Sequence, residues 1–254
     1  MEMERLLNFS CELGRQLLEN GAEIYRVEES IQFLLNAYGW ERTEVFAIPA
    51  VIVLNVEADG KNYNKSVRIR TSSLNLHRLQ RLNALCRDLC RETPELDEAE
   101  RRFQAILAEP RYSLAASRLG YSLVALFFTL FWGGTALDAL VACVGGLIVQ
   151  LVVSFMNRVQ ANIFFTNVVT SMLLAIPPQV LELLGAPIHM DKIIIGTIML
   201  LVPGIAITNV MRDVLAGDFV TALTRFAEVL IVAMGISIGI AITLTGSRAL
   251  LGWL

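Results

Sequence analysis

Charged residues are scarce over more than half of this sequence of 254 residues. Residues 112–254 hold six Lys or Arg and six Asp or Glu, whereas residues 1–111 hold 15 and 18. A single soluble core does not segregate its charges in this way, so the first part is expected to be water-soluble and the second to lie in a membrane. We therefore predict an N-terminal cytoplasmic α+β domain over residues 1–111 and an α-helical bundle of five transmembrane helices over residues 112–254.

Basic residues and cysteines are scarce as well. The 24 acidic side chains outnumber 21 Lys and Arg, which argues against a nucleic-acid partner. The four cysteines are scattered and supply neither a disulfide framework nor a zinc site. The sequence has no P-loop, zinc signature, dinucleotide fingerprint or nucleophile elbow. We therefore expect no catalytic residues, no metal, no cofactor and no direct ATP-driven pumping by this chain.

The first part has the pattern of a small α+β domain. Its first five residues carry three charges and lack the apolar run of a cleavable signal peptide, so it is expected to stay in the cytoplasm. Apolar spacing predicts helices up to Gly21 and over residues 22–38, 74–89 and 95–107. A Val- and Ile-rich strand is predicted from Thr43 to Val56, edge or bulged because of Pro49. The Asp59-Gly60 pair predicts a hairpin turn into a strand over Ser66 to Arg70.

The second part contains five apolar segments, each near the roughly 20 residues that cross a bilayer. They lie at about 114–132, 137–155, 162–182, 192–211 and 221–245. Five crossings put the termini on opposite sides, and the flanking basic residues set the direction. On the N-terminal side are Arg111, Arg118, Arg158, Arg212 and Arg225, and on the other side Lys192 and Arg248. We therefore predict a multi-pass protein of the bacterial inner (plasma) membrane, with a cytoplasmic N-terminus and a periplasmic or extracellular C-terminus.

The third span carries polar residues on one helix face. They are Thr166, Asn167, Thr170 and Ser171. Polar groups in lipid cost several kcal/mol unless they are partnered. Two interpretations are open: the residues form hydrogen bonds between helices, or they line a solute path.

The fourth span contains Pro203-Gly204, followed by Thr208 and Asn209. Proline removes a backbone donor and glycine relaxes the chain, so the helix is expected to kink or break there. Discontinuous helices near the bilayer midplane are a recurring way to build transporter sites. A simple kink and a solute site at a broken helix are the two interpretations.

Charged residues follow this span at Arg212, Asp213 and Asp218, and Arg225 and Glu228 lie on one face of the fifth span. These side chains are candidates for ion pairing and proton coupling, with Asp213 or Glu228 as the titrating group. Alternatively, they lie at the wet cytoplasmic interface.

Three features of the membrane part have a structural interpretation. Gly235 and Gly239 form a small-xxx-small face that predicts close helix packing. Thr135 and Asp138 are expected to form a capping box at the start of the second span, and Asp191 to cap the fourth.

Two stretches resemble the threonine/serine exporter family. The first is Gly-Ala-Glu-Ile-Tyr-Arg-Val-Glu-Glu at residues 21–29, which is similar to a motif of the family's soluble domain. The second comprises Leu200-Leu201-Val202-Pro203-Gly204 with Asn209, Asp213, Gly217-Asp218 and Arg225. The order of the parts agrees over essentially the whole chain. The chain departs from the family at residues 47–51, Ala-Ile-Pro-Ala-Val, where members often carry a Thr-Pro-Thr-Gly-like stretch.

The resemblance implies a subunit of a secondary exporter of small organic solutes. Fused members continue into a second membrane block, so the chain is similar to the larger, YjjP-type subunit of the split, two-component form. That form implies a small YjjB-type membrane partner and a dicarboxylate such as succinate as substrate. A threonine/serine exporter subunit, a non-transporting regulatory or scaffold subunit and a membrane-anchored enzyme stay open as alternatives, and a higher oligomer is allowed.

Overall fold

The computed structural model describes residues 2–40, 42–58, 61–69, 74–110 and 112–251. It is mostly helical, with one three-stranded sheet near the N-terminus. The elements before Pro110 are α1 (Glu2–Glu19), α2 (Ile24–Ala37), β1 (Arg42–Ile48), β2 (Val51–Ala58), β3 (Lys61–Arg68), α3 (Leu76–Glu92) and α4 (Leu96–Ala108). Those after it are α5 (Leu114–Phe131), α6 (Ala136–Arg158), α7 (Ile163–Leu183), α8 (Met190–Ile198), α9 (Gly204–Ala216) and α10 (Phe219–Leu251).

The chain divides into two compact units. The first consists of Met1–Pro110 together with Met211–Thr224, and the second of Arg111–Val210 together with Arg225–Leu254. The end of α9 and the start of α10 therefore belong to the same unit as the N-terminal elements, although they are distant from them in sequence. We call these parts the N-terminal unit and the membrane unit.

The sheet of the N-terminal unit is antiparallel in the order β1-β2-β3. The prediction of one strand from Thr43 to Val56 is wrong, because Pro49 and Ala50 form a turn between β1 and β2, where Ile48 pairs with Val51. Proline lacks the N–H of a sheet ladder, and the apolar run on both sides concealed that it ends a strand. The third strand begins at Lys61, five residues before the predicted start. The predicted Asp59-Gly60 turn and Arg70 lie outside the described residues.

The core of the N-terminal unit lies between one face of this sheet and the helices. Alternate residues of β2, Ile52, Leu54 and Val56, are fully buried, as the two-residue period of a strand requires. The helices contribute their apolar stripes, and each fully buried side chain of this size stabilises the fold by about 1.5–3 kcal/mol. The largest helical contributors are Leu13, Leu17, Ile24, Ile31, Leu34, Leu35, Leu82, Leu89 and Phe103.

The membrane unit carries its large apolar side chains on the outside. Of the described helices, four are long and apolar enough to cross a membrane: Leu114–Phe131, Ala136–Arg158, Ile163–Leu183 and Phe219–Gly246. Phe127, Leu140, Phe155 and Phe165 are among the exposed residues. A water-soluble surface does not present apolar side chains in this number, whereas hydrocarbon favours them.

The predicted fourth span, residues 192–211, is not one continuous helix. α8 has nine residues and ends at Ile198, and α9 starts at Gly204 after a turn. In the turn, the Leu201 N–H donates to the Ile198 carbonyl at 2.7 Å, an i to i−3 bond that a regular α-helix does not contain. The predicted break at Pro203-Gly204 is therefore confirmed, and it leaves neither helix long enough to count as a span by itself.

Helix caps in the membrane unit agree with the sequence in one case and differ in another. Thr135 and Asp138 form the predicted capping box of α6, with the Thr135 N–H donating to Asp138 Oδ2 at 2.7 Å. The predicted cap of α8 by Asp191 is wrong, since His189 occupies the N-cap position and Asp191 lies in the first turn. The His189 N–H instead donates to Asp138 Oδ1 of α6 at 2.8 Å, so a distant carboxylate caps this helix.

Candidate functional site

Four polar side chains of α7, the α7 polar row, are buried on one helix face as predicted. The row consists of Thr166, Asn167, Thr170 and Ser171. Each donates a hydrogen bond to a carbonyl four residues earlier: Thr166 to Asn162 (3.0 Å), Asn167 to Ile163 (2.8 Å), Thr170 to Thr166 (2.6 Å) and Ser171 to Asn167 (2.6 Å). One donor of each side chain is thus satisfied within α7, and these bonds do not tie it to a neighbouring helix.

Two glycines of α10 pack against this row. A Cβ at Gly235 would lie 3.0 Å from the Phe164 carbonyl oxygen, and one at Gly239 would overlap Ser171 Oγ and the Val168 carbonyl oxygen. The predicted close packing at the small-xxx-small face is therefore confirmed. The Thr243 hydroxyl donates to the Met172 carbonyl at 2.9 Å and links the two helices.

The break between α8 and α9 lies near the continuation of α7. Leu200 and Leu201 of the turn pack in one apolar cluster with Leu174 and Ala175, which follow the polar row on α7. Pro203 and Asn209 are half-buried, whereas Gly204 and Thr208 are exposed, with the Thr208 hydroxyl donating to the Gly204 carbonyl at 3.1 Å. The structure thus brings the turn into the same apolar cluster as α7.

The charged candidates Arg212, Asp213 and Asp218 belong to the N-terminal unit. Arg212 forms an ion pair with Glu23, the N-cap residue of α2, and Glu23 also lies 2.9 Å from Arg26. The sequence motif at residues 21–29 and the stretch after Pro203 therefore meet through Glu23 and Arg212. Asp213 is buried, and its carbonyl accepts a hydrogen bond from the Asp218 N–H at 2.9 Å.

Asp218 also acts on a carboxylate of α2. Burial raises the pKa of Glu28 above its ordinary value, and the charge of Asp218 raises it further. The Ala47 N–H, which donates to Glu28 Oε1 at 2.7 Å, opposes this shift. Glu28 thus links α2 to β1 and lies in the field of the segment that follows α9.

Arg225 and Glu228 lie on α10 in the membrane unit. Arg225 is half-buried and Glu228 is exposed. In the part of the chain that the structure describes, Glu228 takes part in no ion pair. Of the five charged candidates, three belong to the N-terminal unit and two to the membrane unit.

Sequence reasoning missed a contact between Asp138 at the start of α6 and His189 at the start of α8. Asp138 is fully buried, and both the N–H and Nδ1 of His189 lie within hydrogen-bond distance of its carboxylate. Lys192, three residues after His189, donates a hydrogen bond to the Gly133 carbonyl at 2.6 Å. No spacing reveals a pair 51 residues apart, although a His before an apolar segment is a signal worth testing.

A second buried polar residue, Gln150 of α6, also escaped notice. Its amide donates to Ser154 Oγ at 3.0 Å, and its Oε1 has no hydrogen-bond partner among the described residues. The signal in the sequence was a single amide within an apolar run. Among the described residues, no group of three His, Cys, Asp or Glu side chains is arranged to hold a metal ion.

The profile of the family described as "Putative threonine/serine exporter" matches residues 8–246. The chain belongs to the threonine/serine exporter family. Two curated exporter relatives are the "Probable threonine/serine exporter" of Mycobacterium tuberculosis and the "Threonine/serine exporter" of Corynebacterium glutamicum. They are 23% and 22% identical to this exporter-family chain over 97% and 96% of its length. The chain spans about half the length of these relatives, 47% and 52%.

Another exporter-family relative has the same extent as this chain. The "Probable succinate transporter subunit YjjP" of Escherichia coli is 25% identical, and the match covers 99% of this chain and 98% of the relative. No solved structure matches the chain. The family assignment and the apolar helices establish a multi-pass membrane protein of an exporter family.

Proposed function

We propose that this chain is one subunit of a secondary exporter of small organic solutes, with a dicarboxylate such as succinate as the substrate. The observation that carries the proposal is the broken helix of the membrane unit, whose turn packs with α7 just beyond a buried polar row. Backbone groups freed by a break must face protein, water or a solute. In a membrane protein of an exporter family, such backbone groups can bind the exported solute.

In this proposal the bilayer is crossed five times, with α8, the turn and α9 together forming the fourth crossing. Residues 1–111 form a cytoplasmic domain and residues 112–254 the transmembrane domain. The positive-inside distribution of arginines supports a cytoplasmic N-terminus in the bacterial inner membrane.

A partner subunit completes the transporter. The match to nearly all of a protein named a transporter subunit supports this, as does the doubled length of the relatives named exporters. The partner is a small membrane protein of the YjjB type, and an odd number of crossings in this chain leaves room for it.

The substrate path runs along α7 and the broken helix. Thr166, Asn167 and Thr170 contribute from α7, and Pro203, Gly204, Thr208 and Asn209 from the turn and α9. Because the donors of the polar row bond within α7, moving α10 away would break none of their hydrogen bonds. Their acceptor lone pairs and the second N–H of Asn167 would then be available to a solute.

Charges select the solute and couple its export to a gradient. Arg212 and Arg225 suit a dicarboxylate, whereas adding Asp213, Asp218 and Glu228 would suit an amino-acid zwitterion. Threonine or serine is therefore the second candidate substrate, favoured by the names of the two longer relatives. Asp213 or Glu228 is the titrating group if protons drive export.

Efflux from proteoliposomes tests the proposal. The chain is co-purified with its small partner and reconstituted into proteoliposomes. These are loaded with labelled succinate, threonine or serine. We expect succinate efflux, reduced about tenfold in Asn167→Ala and Asn209→Ala, as expected for one lost hydrogen bond to a charged group. Pro203→Ala should also reduce efflux, because it restores a donor to the broken helix.

The matched control is Ser237→Ala. Ser237 of α10 is exposed, and its hydroxyl donates to the Ala233 carbonyl at 2.9 Å, the same kind of bond as in the polar row. It should leave efflux unchanged. Full efflux in all three site variants would overturn the proposed substrate path. Efflux of threonine or serine without efflux of succinate would show that an amino acid is the substrate. Unchanged efflux by the partner alone would favour a scaffold or regulatory subunit, and turnover of a substrate would favour a membrane-anchored enzyme.

A further inference from the structure

A groove lined by arginines lies in the N-terminal unit, and its lining includes none of the residues assigned to transport. It is formed by α2 and α3 and encloses about 720 Å³, within the range of about 300–1,000 Å³ typical of sites for small organic ligands. Three arginines line it: Arg26 from α2, and Arg87 and Arg91 from α3. We call it the arginine groove.

The groove wall carries more arginines than carboxylates. Among the described residues that line it, Glu29 is the one carboxylate. Arg26 is paired with Glu23 at 2.9 Å and Arg91 with Asp88 at 3.3 Å, and both pairs are largely exposed on the arginine side. Among the described residues, Arg87 has no carboxylate within ion-pair distance, and its side chain is exposed. A guanidinium in this state offers planar paired donors to a carboxylate or phosphate.

Aromatic rings form part of the same wall. Phe33 of the N-terminal unit is 61% exposed, and Tyr25 is partly exposed at the other end of the same stretch of α2. The Arg26 guanidinium lies 5.9 Å from the centroid of the Tyr25 ring. Guanidinium planes and aromatic faces are the groups on which flat rings stack in proteins.

We propose that the arginine groove binds an organic polyanion that carries a flat ring, of about the size of a nucleoside diphosphate. The volume exceeds what a four-carbon dicarboxylate fills, and a zwitterionic amino acid brings no net charge to the three arginines. The ligand therefore differs in class from the exported solute, and the inference does not depend on which solute that is.

Cys90 provides a reporter inside the groove. It is half-buried in the wall next to Cys86, and both thiols are free. The Cys86 thiol favours the Cys90 thiolate and lowers the pKa of Cys90, so alkylation at neutral pH is expected to be measurable. A ligand in the groove covers this thiol, whereas Cys143 in α6 lies in the other unit and serves as an internal reference.

The experiment measures the alkylation rate of Cys90 by N-ethylmaleimide in the full chain, with peptide mass spectrometry as the readout. We expect ADP to slow Cys90 alkylation in a saturable way and to leave Cys143 unaffected. Adenosine carries only the flat ring and pyrophosphate only the negative charges. Each should need at least about a tenfold higher concentration than ADP to protect Cys90 equally. Equal protection by pyrophosphate and ADP would overturn the role of the rings, and no protection by millimolar ADP would overturn the site.

Variants separate the two halves of the wall. Arg87→Gln should raise the ADP concentration needed for half-protection at least about tenfold, and Phe33→Ala should weaken ADP but not pyrophosphate. Both side chains are exposed, so the fold does not depend on them. Arg101 on α4 is also exposed and lies outside the groove, so Arg101→Gln is the matched control. In this variant ADP should protect Cys90 as it does in the natural chain. Unchanged protection in Arg87→Gln would contradict the proposal.

Discussion

Asp138 and His189 join the starts of two membrane helices. The buried carboxylate of Asp138 accepts a hydrogen bond from the His189 N–H at 2.8 Å, and its Oδ2 lies 2.9 Å from His189 Nδ1. The same carboxylate closes the capping box of α6 with Thr135. One side chain therefore satisfies orphan N–H groups at the starts of both α6 and α8.

We predict that Asp138→Ala lowers the stability of the membrane unit by about 3 kcal/mol, through a lost cap and unpaired buried donors. His189→Ala should cost about 1 kcal/mol, because the His189 N–H can still bond to Asp138. Thermal unfolding of the purified chain in detergent measures both changes. Asp191→Asn, exposed in the first turn of α8, is the control and should change little. A loss as large for Asp191→Asn as for Asp138→Ala would refute the double cap.

Gly239 allows α7 and α10 to approach each other closely. Gly239→Ala should destabilise the chain by about 2 kcal/mol, because the added methyl overlaps Ser171 Oγ and the Val168 carbonyl oxygen and the helices must move apart. Gly120→Ala on α5 is the matched control, since no atom lies within 4 Å of its added Cβ. The melting temperatures of the two variants are compared, and that of Gly239→Ala should be the lower. Equal melting temperatures would show that the glycine seam is not tightly packed.

The raised pKa of Glu28 predicts that the stability of the chain depends on pH. Its folded-state pKa is raised by burial and by Asp218, so its contribution is fully present below the ordinary pKa of 4.5 and is lost as pH rises through the raised value. Glu28→Gln keeps an oxygen for the Ala47 N–H and removes the titration. The variant should therefore gain melting temperature relative to the natural chain as pH rises from about 4 to 7.

A neighbouring strand supplies the control for Glu28. Glu44 of β1 is exposed, and Glu44→Gln removes one negative charge from the same unit without emptying a buried site. Its melting temperature reports the loss of one negative charge outside a buried site. A Glu28→Gln curve parallel to that of Glu44→Gln would contradict the shifted titration.

Glu23 and Arg212 connect two parts of the sequence that are far apart. A double-mutant cycle with Glu23→Gln and Arg212→Gln should give a coupling energy of about 0.5–1 kcal/mol, because Glu23 is 15% exposed and Arg212 45%. The pair Arg42–Glu57, at 3.1 Å on the exposed edge of the sheet, should couple more weakly. Equal coupling energies in the two cycles would argue against a structural role for Glu23 and Arg212.

The sequence predicted the features that depend on local pattern. The apolar runs, the break at Pro203-Gly204, the capping box of Thr135 and Asp138 and the shared face of the α7 polar row follow from period, length and the chemistry of a few residues. Pro49 was misread because the Val- and Ile-rich pattern continues on both sides of it, so the turn had no polar boundary.

Contacts between distant residues were beyond the sequence. Asp138 and His189 are 51 residues apart, and Glu23 and Arg212 are further apart still, so no spacing relates them. The cap of α8 was assigned to Asp191 because a local carboxylate is the simplest donor partner, whereas the fold supplies one from α6. The apolar run at residues 192–211 predicted one helix, and its hydropathy could not show that α8 ends at Ile198, six residues before Gly204.

The most direct test of the account labels the path with the solute itself. A photoreactive succinate analogue is irradiated with the chain and its small partner in proteoliposomes, and labelled peptides are identified with and without excess succinate. We predict labels, removed by succinate, on peptides of α7 and of residues 199–209. Labels confined to the partner subunit would contradict the claim that this chain forms part of the solute path.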